Sequence, residues 1–187
     1  MARKNHFLAF DEAAKHGPYD EYPMLPAGID PQIHLSRNDR PQPFHLICEH
    51  DTVLVTMSGS GRVEFAEGPV RYHTLAPGDF VYVPAGTAHR ILPEEECVHL
   101  RYKPECPGLE AIAWYCDNCG TEMTRETWDT AVEVSQQAYD RICRAHNVDA
   151  GNRICGDCGA QHPEIDMSPY SWDKIAAEIR EESTTTG

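Results

Sequence analysis

The chain has 187 residues, 30 Asp and Glu against 16 Lys and Arg, and a formal charge of -14. That length makes one domain of ordinary size with room for a small appendage, and it is enough to bury a core. The acidity argues against nucleic-acid or anionic-membrane partners, because phosphate binding needs clustered Lys and Arg. With no membrane-length apolar run and no secretory h-region in MARKNHFLAFDEAAKHG, a soluble, cytoplasmic protein is expected.

In chain order, residues 1–30 form an N-terminal arm. It holds a short helix over Asp11–His16 and then a stretch rich in Pro, Gly and Tyr. Residues 31–107 show short apolar runs divided by turn signals: Val53–Met57, Arg62–Phe65, Val70–His73, Phe80–Val83 and Cys97–Tyr102, separated by SGSG, EGP, APGD, PAGT and PEEE. Closely spaced strands without an intervening long helix indicate an antiparallel barrel or sandwich, an all-β fold. Pro104–Pro107 marks a boundary. Residues 108–165 form a small module whose connector, Thr124–His146, has helical composition, and residues 166–187 hold an amphipathic helix, capped by Ser168 or Ser171, and a frayed tail.

Eight cysteines need a reason, and four have one in their spacing: Cys116-Asp-Asn-Cys119-Gly and Cys155-Gly-Asp-Cys158-Gly. Each C-x2-C turn presents two thiolates to one cation, and two turns complete a tetrahedron. Gly120 and Gly159 are free to take positive φ, which turns backbone N–H groups toward the sulfurs. Four thiolates suit Fe or Zn equally, and a site with no open position is structural or electron-transferring. Cys48, Cys97, Cys106 and Cys143 are expected to be small core residues.

The segment Gly78-Asp-Phe-Val-Tyr-Val-Pro84-Ala-Gly86-Thr-Ala-His89 resembles the second motif of the cupin superfamily, G-x5-P-x-G-x2-H, at each of those positions. The resemblance implies a cupin (jelly-roll) barrel with His89 at its metal. The first motif is degenerate. Its candidates are His45, Glu49, His50 and Asp51; His45, Asp51 and His89 would make a two-histidine, one-carboxylate face for Fe(II), with Glu49 or His50 replacing or joining Asp51. The other possibility is a barrel that has lost its metal.

The pairing of this barrel with Trp114-Tyr-Cys116-Asp-Asn-Cys119-Gly and Cys155-Gly-Asp-Cys158-Gly-Ala-Gln-His162-Pro163 resembles the bacterial-type 3-hydroxyanthranilate 3,4-dioxygenase family, which carries a C-terminal rubredoxin-like site. The resemblance implies an extradiol-type, Fe(II)-dependent opening of a small aromatic ring by O2, with the cysteine site remote from the chemistry. It also implies a histidine ligand followed six residues later by a carboxylate, a step that His45 and Asp51 keep. Where the family has arginines, this chain has Pro41, with Arg40 beside it, and Pro93, with Arg90 the nearest cation; where it has an active-site glutamate, this chain has Arg101. The substrate is therefore expected to be a relative of 3-hydroxyanthranilate, such as an aminophenol, and not that compound itself.

Alternation over Cys97–Tyr102 puts Cys97, His99 and Arg101 on one strand face. Arg101 facing inward would suit a substrate carboxylate, and His99 would serve as acid, base or ligand; the same face could instead be the solvated side of an edge strand. Arg101, His99 and Arg40 are the candidate catalytic residues, and His34 and His73 are weaker ones. Two further readings stay open: a cupin metalloenzyme with another reaction, and a non-catalytic cupin that binds a small acid. A homodimer is expected.

Overall fold

A computed structural model describes residues 6–185. After the helix α1 (Ala9–Ala13), eleven strands follow before any further α-helix: β1 (Tyr22–Pro23), β2 (Gln32–Asn38), β3 (His45–Cys48), β4 (Thr52–Ser58), β5 (Gly61–Phe65), β6 (Tyr72–Leu75), β7 (Phe80–Val83), β8 (His89–Pro93), β9 (Cys97–Lys103), β10 (Leu109–Tyr115) and β11 (Glu122–Asp129). They form two antiparallel sheets, ordered β1-β2-β9-β4-β7 and β11-β10-β3-β8-β5-β6. Two helices close the chain, α2 (Ser135–Val148) and α3 (Trp172–Thr185). This is the expected all-β, jelly-roll architecture with a cysteine cluster near the C-terminus.

Period-2 alternation sorts each strand between a core and an outer face. Leu46, Leu54, Val63, Phe65, Val81, Val83, Ile91 and Ile112 meet between the sheets, and α2 adds Ala138, Tyr139, Ile142 and Cys143 to the same core. On the outer face of the first sheet, Val55, Val98 and Leu100 pack under Ala13 of α1 and Ile175 and Ile179 of α3. Helix α3 starts directly after Ser171, whose carbonyl accepts the Ile175 N–H at 3.0 Å.

Two expectations shift. Residues 124–129, expected to be helical, belong to β11, because Glu122–Asp129 pairs along β10 and the β-branched Thr124 and Thr127 suit a strand. Strand β10, expected in the cysteine module, pairs with β3 and so belongs to the second sheet. The expected tail lies partly outside the described residues.

Candidate functional site

Inside the barrel the first surprise is phase. Leu46 pairs directly with His89, so those two side chains share the inner face, and His45 takes the outer one. His45 lies opposite Ala113 and against the edge of Tyr115, with ring centroids 4.9 Å apart. In β4, Val53 and Val55 pack outward, which turns Thr52, Leu54 and Thr56 inward. The six-residue step from His45 to Asp51 therefore runs, among inward-facing residues, from Leu46 to Thr52. A one-residue change of phase exchanges the faces of a strand.

The expected carboxylates are engaged elsewhere. Asp51 is exposed and accepts the Ala85 N–H at 2.8 Å; Glu49 is exposed and accepts the Leu109 N–H at 2.5 Å; His50 is exposed too. Both carboxylates tie down loops at the barrel rim. The face of His45, Asp51 and His89 expected to hold Fe(II) is not brought together, and Glu49 does not complete it. Arg40 forks onto Asp39 at 2.7 and 3.0 Å and stands outside the barrel with His45, lining a surface cleft. His73 is exposed, against the edge of Phe65.

Three expected residues do meet inside. His89, His99 and Arg101 are buried to 0, 1 and 2% exposure, so the polar face of β9 is internal and not the solvated side of an edge strand. The Nδ1 of His89 faces the Thr87 carbonyl at 3.0 Å, and its Nε2 meets Arg101 Nη1 at 2.7 Å. A guanidinium only donates, so Nε2 is the acceptor. Arg101 Nε donates to Glu21 at 2.8 Å, and Glu21 also accepts from Lys103 at 3.1 Å and from Tyr139 at 3.3 Å. Lys103 donates to Glu110 at 2.8 Å, which in turn accepts from Ser135 at 2.6 Å. The network joins the arm, β9, β10 and α2. Its two cations and two carboxylates balance, as buried charges must.

Glu21 enters this interior from a backbone φ of +41°, a left-handed conformation that few non-glycine residues hold. The surrounding bonds sustain it: Gln136 donates to the Asp20 and Glu21 carbonyls at 2.8 and 2.9 Å, and His34 Nδ1 lies 3.0 Å from the Glu21 carbonyl. His34 thus pins the arm. The paired cations hold Glu21's carboxyl well below the usual range despite its burial. His99 lies 3.1 Å from Asn38 through Nδ1, while its Nε2 and the Nη2 of Arg101 have no partner among the described residues.

Burial pushes His45, His89 and His99 down to about 3, assisted by Arg90 and Arg71 at His45 and by Arg101 at the other two. All three are neutral in the fold and titrate near 6.5 when exposed. Their contribution is complete above about pH 6.5 and is lost as the pH falls from there toward 3, because the unfolded chain takes up protons first. Each histidine then adds a slope of about 1.4 kcal/mol per pH unit. Urea titrations should show stability falling steeply below about pH 6, with a shallower slope in His99→Gln; a slope unchanged by that variant would contradict the assignment.

Beyond β10 the cysteines converge as expected. The Sγ atoms of Cys116, Cys119, Cys155 and Cys158 all lie within 4.8 Å of one another, with Cys116–Cys158 and Cys119–Cys155 each 3.6 Å apart. A tetrahedron with metal–sulfur bonds of about 2.3 Å has edges of roughly 3.8 Å, so the set fits a single Zn or Fe ion. Gly120 and Gly159 take φ of +78° and +70°, and the Gly120 and Gly159 N–H groups close their turns onto the Cys116 and Cys155 carbonyls. Asn118 Nδ2 donates to Cys158 Sγ at 3.5 Å and, with an amide bond from Ala160, lowers that thiol to about 6, favouring the thiolate a metal needs. Of the other cysteines, Cys48, Cys97 and Cys143 are buried, and Cys106 is exposed.

Sequence reasoning missed Leu46, Thr52, Glu21, Lys103, Glu110 and Tyr139. The alternation Phe44, Leu46, Cys48 against His45, Ile47, Glu49 carried the signal for the first: three apolar residues in one phase mark the core face.

No family model matches the chain, and no curated protein does. Among solved structures it is similar to the hydroquinone 1,2-dioxygenase PnpCD, with Cd2+ and 4-hydroxybenzonitrile, at 23% identity over 51% of this chain and 69% of that one, TM-score 0.45. It is similar to the hydroquinone 1,2-dioxygenase of Sphingomonas sp. TTNP3 with 4-nitrophenol, at 13% over 55% of this chain and 33% of that one, TM-score 0.50. A cupin-2 domain protein of Shewanella frigidimarina NCIMB 400 matches at 20% over 52% of this chain and 93% of that one, TM-score 0.45. Likeness at such identity concerns the fold, and function is argued from the site. No helix among the described residues is long and apolar enough to cross a membrane.

Proposed function

We propose that this protein is a cupin that binds a small acid without iron chemistry, and that its resident metal belongs to the four cysteines. One observation carries the reading: the residue paired directly with His89 on the inner face is Leu46, and a guanidinium lies 2.7 Å from the imidazole Nε2. The methyl groups of a leucine cannot ligate ferrous iron, and an arginine cation repels it. The residues do not fit a barrel iron. The same guanidinium supports the acid: Arg101 Nη2 is buried and without a partner among the described residues, and a carboxylate is the acceptor that best fits a guanidinium fork.

A second reading keeps the implied activity, the Fe(II)-dependent opening of an aminophenol-like ring by O2. What favours it is the complete segment Gly78–His89 and the clasp of His89 Nδ1 by the Thr87 carbonyl, an arrangement that fixes Nε2 as a metal-ligating histidine requires. Metal analysis separates the two. Protein loaded anaerobically with iron and zinc should carry one metal per chain and show no iron-dependent O2 uptake with 2-aminophenol. Two metals per chain, with uptake and a ring-opened chromophore that His89→Ala abolishes, would establish the second reading and overturn the first.

A further inference from the structure

Beside the second sheet and the cysteine module runs a cleft of about 310 Å³, lined by Arg90, Trp114, Tyr115, His146, His162 and Tyr170, and also by Arg40 and His45. Its size falls at the small end of the range for small-molecule sites. Four polar atoms of the residues that line it are buried without a hydrogen-bond partner among the described residues: Arg90 Nε, Trp114 Nε1, His146 Nδ1 and His162 Nε2. Native proteins leave few such atoms, and each costs on the order of 1–3 kcal/mol if nothing satisfies it. Their gathering around one cleft points to an occupant.

The donors describe that occupant. Arg90 and Trp114 can only donate, so whatever satisfies them accepts. Arg90 already spends Nη2 on Glu64 at 2.9 Å and on Asp117 at 3.5 Å, which leaves Nε uncommitted. His146 is 4% exposed and stacks on Trp114 with centroids 4.0 Å apart and planes within 9°. The pair forms a flat, rigid wall facing a lining rich in aromatic residues. Asp117, Glu164 and Asp166 also line the cleft, which opposes an occupant with more than one negative charge.

We infer that this cleft is a binding site for a small planar monocarboxylate, its oxygens taken by Arg90, Trp114 and the two imidazoles and its ring laid along the aromatic lining. The site is separate from Arg101 and does not depend on how the barrel functions. It also gives the outward-facing His45 a place, since that residue lines the same cleft.

Benzoate, with benzyl alcohol as the uncharged control, tests this on the zinc-loaded full chain by calorimetry and by side-chain resonances of the tryptophans and histidines. Benzoate should bind saturably and move the Trp114 indole and the His146 and His162 signals, whether or not His89 and His99 move as well. Benzyl alcohol should bind at least tenfold more weakly. Arg90→Gln should weaken benzoate at least tenfold, and so should His146→Phe, which keeps a ring on Trp114 and loses both nitrogens. Absence of saturable benzoate binding would overturn the inference, as would equal binding of benzyl alcohol. Shifts confined to His89 and His99 would overturn it too, while supporting acid binding in the barrel; metal content decides that other reading separately.

Discussion

Cys116→Ser combined with Cys158→Ser should release the metal and lower the melting temperature by at least about 10 °C. Those two thiols lie 3.6 Å apart and come from different C-x2-C turns, so the pair removes one ligand from each loop and leaves two sulfurs that cannot close a tetrahedron. The loss reaches beyond the loops. The chain between the turns carries β11 and α2, and α2 supplies Tyr139, Ile142 and Cys143 to the core between the sheets. Metal binding free energy becomes folding free energy when the site exists only in the fold. A loss of several kcal/mol, at roughly 2–4 °C per kcal/mol for a chain of this size, gives the expected fall. Hydrogen exchange should show α2 losing protection before β4 and β9. An unchanged melting temperature with normal α2 protection would mean that the cluster is not a structural metal site.

Arg101→Met should cost about 3–5 kcal/mol in urea unfolding, the penalty for breaking a buried pair from one side. It leaves Glu21 with Lys103 and Tyr139 alone and His89 Nε2 without a donor, all in a region nearly closed to water. Adding Glu21→Gln should restore part of that loss, because the orphaned charge is gone and Lys103 keeps Glu110 at 2.8 Å. This non-additivity is the signature of a coupled network and is not expected of two independent packing defects. Additive losses in the double variant would remove the network from the account. The arm responds to the same test: Glu21 holds a φ of +41°, a strain kept only while its carboxylate is anchored, so proteolysis near residues 17–24 should accelerate in Arg101→Met.

The fold was readable because its signals are local. Turn residues at SGSG, APGD and PAGT bracket short apolar runs, and four of the five expected strands match observed ones to within one residue at each end; Val70–His73 is displaced by two residues, to Tyr72–Leu75. The cysteine site was readable for the same reason: a C-x2-C turn with glycine after it carries its geometry in five residues, and φ of +78° and +70° at Gly120 and Gly159 realises it. Residues 124–129 were misjudged because helical composition is a weak prior that pairing with a neighbouring strand overrides.

The barrel site was legible only in part. His89 follows a turn motif that dictates where it emerges, and alternation along β9 correctly joined His99 to Arg101. His45 carried no such fix. Whether a strand shows one face or the other inward depends on which residue it pairs with, and the pairing of Leu46 with His89 is a contact across more than forty positions of sequence.

By itself, then, the sequence determined the strands, the turns and the convergence of the cysteines, all set by the few residues on either side. It also determined that charge would be scarce inside, so that an inward arginine would matter. The tertiary structure decided which residues share the interior with that arginine. Glu21, from an arm with no regular pattern, and Glu110, from beyond an apparent boundary, reach it only because burying a cation in a medium of low dielectric demands anions from wherever the chain can bring them. It decided, for the same long-range reason, that His45 looks out onto a cleft and not in toward His89.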